Sequence, residues 1–148
     1  MTLFILMKIE KIENCTSILR RCELLSKLNG ILGKIQDTLE EFKLPVWYGK
    51  TFCKEKDKWN YFVFNRKEVD RSGKSRIDFN YYYQVHIIME NYIPEGFEQE
   101  VIKRITENTR LKLTDQPMQF NYVTKNNTDM VVEMLTLTFT KPIKGCDI

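Results

Sequence analysis

The sequence predicts a single α+β domain, with two main helices on a mixed or mostly antiparallel sheet, in the order α-β-β-β-α-β-β. Three observations carry that expectation. From Ile77 to Met89 every odd-numbered residue is apolar (Ile77, Phe79, Tyr81, Tyr83, Val85, Ile87, Met89), while the even positions are mostly polar. That is the period of one long strand with a buried face and a wetter face. Leu24, Leu28, Ile31, Leu32, Ile35, Leu39 and Phe42 instead recur at three- and four-residue spacing, the stripe of an amphipathic helix. A chain of 148 residues is long enough to bury one sizeable core and shows no linker, repeat or low-complexity stretch that would divide it.

The first helix is expected over Leu24–Phe42. Ile18, Leu19, Cys22 and Leu25 keep its period, so it could begin near Thr16. Gly30 and Gly33 weaken it by about 1 kcal/mol each relative to Ala, or mark close packing against another backbone. Pro45 ends it and pushes Leu44 toward extended geometry. Val46–Phe52, interrupted at Gly49, reads as the first strand. Trp59–Asn65 reads as the second, with Trp59, Tyr61 and Val63 on one face and Phe62 and Phe64 on the other. Apolar residues on both sides point to a strand covered on both faces. The long strand from Ile77 is the third, and Arg66–Arg76, with its Ser72-Gly73 pair, reads as a solvated hairpin loop before it.

Pro94-Glu95-Gly96 opens the second helix, where proline suits the first turn. Glu95, Glu98 and Glu100 complement the positive end of its dipole, with Lys103, Arg104 and Arg110 toward the other end. Phe97, Val101, Ile102 and Ile105 form its buried stripe. Met118, Phe120 and Tyr122 then alternate with Gln119 and Asn121. After a turn at Lys125-Asn126-Asn127-Thr128-Asp129, Leu135, Leu137 and Phe139 alternate with Met134, Thr136 and Thr138. Pro142 is expected to stop this last strand and to leave 143–148 as a loose tail. Residues 1–15 are expected to form an N-terminal arm or extra strand, or to reflect a start at Met7; the apolar run at Leu3–Met7 is too short for a bilayer span, which needs roughly 20 residues.

The net charge of +3 is too small for a nucleic-acid-scale basic footprint. Cys15, Cys22, Cys53 and Cys146 match no zinc-ligand spacing. Cys15 and Cys22, seven apart, would be separated on a helix by about 10 Å at 1.5 Å per residue, beyond disulfide reach. All four read as free thiols of a protein made in a reducing cytosol. His86, the single histidine, lies on the polar face of the long strand near Gln84 and Glu90 without a nucleophile motif, which favours a structural role over general-base chemistry. No GxSxG, HExxH, P-loop or GxGxxG pattern occurs, and Ser72-Gly73-Lys74-Ser75 lacks the first glycine of a phosphate loop. No catalytic, cofactor or metal site is expected. Tyr81, Tyr82 and Tyr83 could stack bases, but the βαββαβ order of the familiar base-stacking sheet is absent.

At Leu44-Pro45-Val46-Trp47-Tyr48-Gly49 the chain resembles the segment that follows the first helix in tail terminator (tail completion) proteins of long-tailed bacteriophages and prophages. The similarity continues through Trp59–Asn65, Tyr83-Gln84-Val85-His86, Glu90-Asn91-Tyr92-Ile93-Pro94-Glu95-Gly96 and Val132-Glu133-Met134, and covers Leu24 to Pro142. The resemblance implies a small virion subunit that forms a homohexameric ring on the finished tail tube, stops tube growth and offers a surface for head joining. Its partners would be further copies of itself, the major tail tube protein and the head–tail connector protein, with no membrane, cofactor or specific nucleic acid. It would be made in the bacterial host cytoplasm and reside in the tail–neck region of the virion. Other neck or baseplate structural proteins, and a small nucleic-acid-binding domain, are the alternatives.

A ring needs head-to-tail contacts that close by rotation. Arg66, Lys67, Arg71, Lys74 and Arg76, set against Glu68 and Asp70, are the candidate subunit or tail interface, because arginine is favoured where proteins meet. The alternative for this segment is a merely solvated loop.

Overall fold

The computed structural model describes residues 28–51, 53–54, 57–71, 79–126 and 128–143. The expected arm at 1–15, the helix before Leu28, Cys15, Cys22, Cys146, Phe52, Lys74, Arg76, Ile77 and residues 144–148 lie outside the described residues. The elements run α1 (Gly30–Glu40), β1 (Val46–Tyr48), β2 (Tyr61–Arg71), β3 (Phe79–Glu90), α2 (Phe97–Thr109), β4 (Lys112–Leu113), β5 (Phe120–Thr124) and β6 (Val131–Ile143). They form an α+β fold around a six-stranded sheet with the path β1-β2-β3-β6-β4. β5 also pairs with β6, so β4 and β5 follow one another along the same side of that strand. β1 runs parallel to β2, and the other pairings are antiparallel.

Alternation decides the two faces. Tyr83, Val85, Ile87 and Met89 of β3 are buried beside Phe62 and Phe64 of β2 and Leu135, Leu137 and Phe139 of β6. Ile35 and Leu39 of α1 and Val101 and Ile105 of α2 cover this face. Burying such aliphatic or aromatic side chains contributes roughly 1.5–3 kcal/mol each, so this layer is the main source of stability. Phe97 stacks on Phe62 with ring centroids 6.0 Å apart, and meets Phe42 edge-on at 5.4 Å. The Arg104 guanidinium lies 4.4 Å from the centre of the Phe42 ring. The second face is apolar at one end only, where Trp47, Tyr61, Ile88 and Val132 are buried against Trp59, Val63 and Met134. Two-sided cover of β2 therefore holds, and Ile88 makes the even face of β3 drier than the alternation implies.

Several boundaries differ from the sequence expectation, each for a backbone reason. The helix does not run through Leu28 and Asn29. Asn29 is extended and Gly30 has φ +60°, so α1 begins there. A Cβ on Gly33 would collide with the Leu28 carbonyl oxygen, which makes this glycine a close-approach site. β1 ends at Tyr48 because Gly49 turns at φ +81°, its N–H donating to the Phe64 carbonyl at 3.0 Å. α2 starts at Phe97 and not at Pro94. Gly96, at φ +87°, separates the proline turn from the helix. The segment Arg66–Arg71 is strand and not loop: it pairs with Phe79–Tyr83 of β3 around a bulge between Arg66 and Glu68. The bulge shifts the alternation by one residue, which hides it from a period-two reading. β6 runs through Pro142 to Ile143. Beyond Thr140 it has no β4 partner, and a residue without an N–H is tolerated on such an edge. Lys112–Leu113 adds a short strand that the sequence pattern does not announce.

Candidate assembly surface

The sheet has an open edge on each side among the described residues. On one side, β5 pairs only with β6, so its outer backbone groups face away from the sheet. All five of its residues are exposed, with Phe120 at 47% and Tyr122 at 61%. Met118, Phe120 and Tyr122 do alternate, but the apolar side of this strand is not covered. Val131 adds to that side, Val123 is exposed on the opposite face of β5, and Tyr92 is exposed in the turn after β3. Val131 pairs with Thr124, and its carbonyl accepts the Asn91 N–H at 2.7 Å, which brings the β3–α2 turn beside it. A neutral, apolar, unprotected edge strand is a template for pairing with another chain.

On the other side, β1 covers β2 only as far as Phe64, so the outer edge of β2 is open from Asn65 to Arg71. Here lie three of the five cations singled out from the sequence. Arg66 is exposed, and its Nε donates to the Tyr48 hydroxyl at 3.3 Å. Lys67 is the extra residue of the bulge, with its Nζ 3.8 Å from Glu68 and 3.5 Å from Gln116 Oε1. Arg71 ends the strand, exposed. Lys74 and Arg76 lie outside the described residues. The remaining exposed large apolar side chains, Tyr48 and Val69, are on this same edge.

Lys67 also reaches the second face. With Gln84, Gln116, Gln119, Thr136 and Thr138 it borders an open polar groove of about 380 Å³. Beneath it His86 ties three strands together. Asn65 Nδ2 donates to Gln84 Oε1 at 3.3 Å, which leaves Asn65 Oδ1 to accept from His86 Nε2 at 2.8 Å. His86 Nδ1 then accepts from the Thr136 hydroxyl at 2.9 Å. Both ring nitrogens are engaged, and burial lowers the pKa of the ring below its ordinary value. This geometry fixes β2, β3 and β6 relative to one another and leaves the imidazole no free nitrogen for proton transfer.

A second polar node was not legible in the sequence. Lys125, in the turn after β5, is buried; its Nζ donates to Glu90 Oε1 at 2.8 Å and to the Asp57 carbonyl, and lies 5.4 Å from the Trp59 ring centre. Glu90 also accepts the Trp59 N–H at 2.9 Å. Burial raises the Glu90 carboxyl, but the bonds from Lys125 and Trp59 and the charges of Lys125 and Lys58 outweigh it, so its pKa is lowered. A lysine in an Asn- and Thr-rich turn carries no local sign of this partner, which is 35 residues away in sequence.

Among the described residues no group of three or more His, Cys, Asp or Glu side chains could hold a metal ion, and no helix is long and apolar enough to cross a membrane. What the arrangement offers chemically is sheet extension at two edges and polar recognition in one groove. No protein-family model matches the sequence, and no curated protein is significantly similar to it.

Proposed function

We propose that this chain is a structural subunit of a long-tailed phage or prophage that closes as a ring of six on the end of the tail tube. The ring ends tube polymerisation and presents the surface to which the head connector joins. Its partners are other copies of the same chain, the major tail tube protein and the head–tail connector protein, in the tail–neck region of the virion. The observation that carries this reading is the pair of edges left open among the described residues of one sheet, β5 on one side and Asn65–Arg71 of β2 on the other, each with exposed apolar side chains. A subunit with unlike adhesive surfaces on opposite sides is the kind of unit from which rings close. The resemblance of Leu24–Pro142 to tail terminator proteins gives the ring its place. Deleting the gene from the phage or prophage that carries it, and imaging the particles, tests the reading. Tails of abnormal length and unjoined heads are expected; full-length, head-joined, infectious particles would contradict it.

A further inference from the structure

We infer that copies of this chain join by strand addition, the outer edge of β5 in one copy pairing with the outer edge of β2, from Asn65 to Arg71, in the next. The inference rests on the reading of the chain as a ring-forming subunit and names the surfaces that meet. Two distributions on the surface lead to it. The exposed large apolar side chains among the described residues divide between the two open edges. Tyr92, Met118, Phe120, Tyr122, Val123 and Val131 gather at β5, and Tyr48 and Val69 at β2. The charges are divided as well. β5, Phe-Asn-Tyr-Val-Thr, carries none, whereas β2 presents Arg66, Lys67, Glu68, Asp70 and Arg71.

The faces match when one sheet continues into the next. Phe120 stands opposite the core residue Leu135, and Tyr122 opposite Glu133, which places both aromatics on the helix-bearing face. Arg66 stands opposite Tyr83 and Val69 opposite Tyr81, both part of the core layer, so Arg66, Val69 and Arg71 share that same face. Continuation of the sheet therefore sets Val69 beside Phe120 or Tyr122, an aromatic–β-branched pair of the kind that stabilises sheets. It also brings the arginines within reach of tyrosine rings and of the Glu133 carboxylate, a charge complement that β5 paired with itself would lack. On the second face, Asn121 and Val123 meet Glu68 and Asp70 with no like charge opposite them. Beyond the bulge at Lys67 the open stretch of β2 is regular over Glu68–Arg71, long enough to pair with four of the five residues of β5. Pairing of β5 with β5 across a two-fold axis would leave Val69 and Tyr48 uncovered and would not propagate around a ring.

The test is directional cross-linking of the full chain with Cys15, Cys22, Cys53 and Cys146 replaced by serine. Val69→Cys and Tyr122→Cys proteins are prepared separately, then mixed at millimolar concentration with a short bismaleimide. A mixed Val69–Tyr122 product exceeding either homotypic product by roughly tenfold is expected, a bias equivalent to about 1.4 kcal/mol. A homotypic Tyr122 product of equal or greater yield, or no product from the mixture, would overturn the inference. In the otherwise unaltered chain, Tyr122→Lys should weaken self-association, read by sedimentation, by roughly tenfold or more while leaving the melting temperature unchanged. Association that survives this change intact would overturn the inference equally. Neither result alters the tube-length phenotype of the gene deletion, on which the reading of the chain as a tail terminator stands separately.

Discussion

Lys125 Nζ donates to Glu90 Oε1 at 2.8 Å, and this contact fastens the β5–β6 turn to the far end of β3. Both side chains are only 11% exposed. Removing one partner of a buried pair leaves the other charge uncompensated, typically at a cost of 3–5 kcal/mol. Lys125→Met is therefore expected to lower stability by about 2–4 kcal/mol in urea unfolding, and to loosen β5 in hydrogen exchange before the rest of the sheet. Lys67→Met, whose 3.8 Å partner Glu68 is more than half exposed, should change stability by less than about 1 kcal/mol. Equal losses at the two lysines would show that the β5 turn is not held by the Glu90 contact.

The single histidine gives a pH signature that can be assigned without ambiguity. Burial depresses the folded-state pKa of His86, so the unfolded chain binds the proton more readily. The associated stabilisation is complete above the unfolded value of about 6.5 and is lost as pH falls from there through the folded value. Unfolding free energy should consequently decline on acidification from neutrality through this window. His86→Gln should remove that slope at the cost of a lower plateau. A slope that persists in the variant would refute the assignment to His86.

Core and second-face positions on neighbouring strands should separate by magnitude. Val85 and Leu137 are fully buried beneath the helices, and truncation to alanine is expected to cost roughly 1–2 kcal/mol for valine and 2–5 kcal/mol for leucine. Thr136→Ala faces the groove and loses one hydrogen bond to His86, worth about 0.5–1.5 kcal/mol. Thermal unfolding of the three variants checks the order. A Thr136→Ala loss matching that of Leu137→Ala would mean that the His86 network, and not the helix-covered layer, dominates.

The charged edge makes a prediction at the level of the particle. Arg71→Glu combined with Lys74→Glu should leave folding intact, since Arg71 is exposed at the end of β2, and should impair joining of heads to tails. Single exposed ion pairs are worth only about 0–1 kcal/mol, so the effect comes from repetition around the ring. Wild-type joining efficiency in that variant would remove these two residues from the interface while leaving the ring itself untouched.

Periodicity carried most of the fold. The odd-numbered apolar run of β3, the stripe of α2 and the Leu135, Leu137 and Phe139 face of β6 are local patterns whose burial follows directly from geometry. The errors occur where a backbone event interrupts the period: positive φ at Gly30, Gly49 and Gly96, and the bulge at Lys67. The assembly surface was legible in part. The cations at Arg66, Lys67 and Arg71 were visible in the sequence, but as a loop and not as a strand edge. The β5 edge was harder to see. Its alternation is the same whether the apolar side is covered or bare, and only the topology, which ends the sheet at β5, shows that Phe120 and Tyr122 are open. Lys125 and Glu90, 35 residues apart, met through topology alone.

The most direct test is electron microscopy of tail tubes purified from the same phage lacking this gene, incubated with the purified protein. A sixfold ring at one end of each tube, with further tube growth arrested there, is the expected result. Protein that stays off the tubes, or that binds along their length without closing at an end, would contradict a terminating ring.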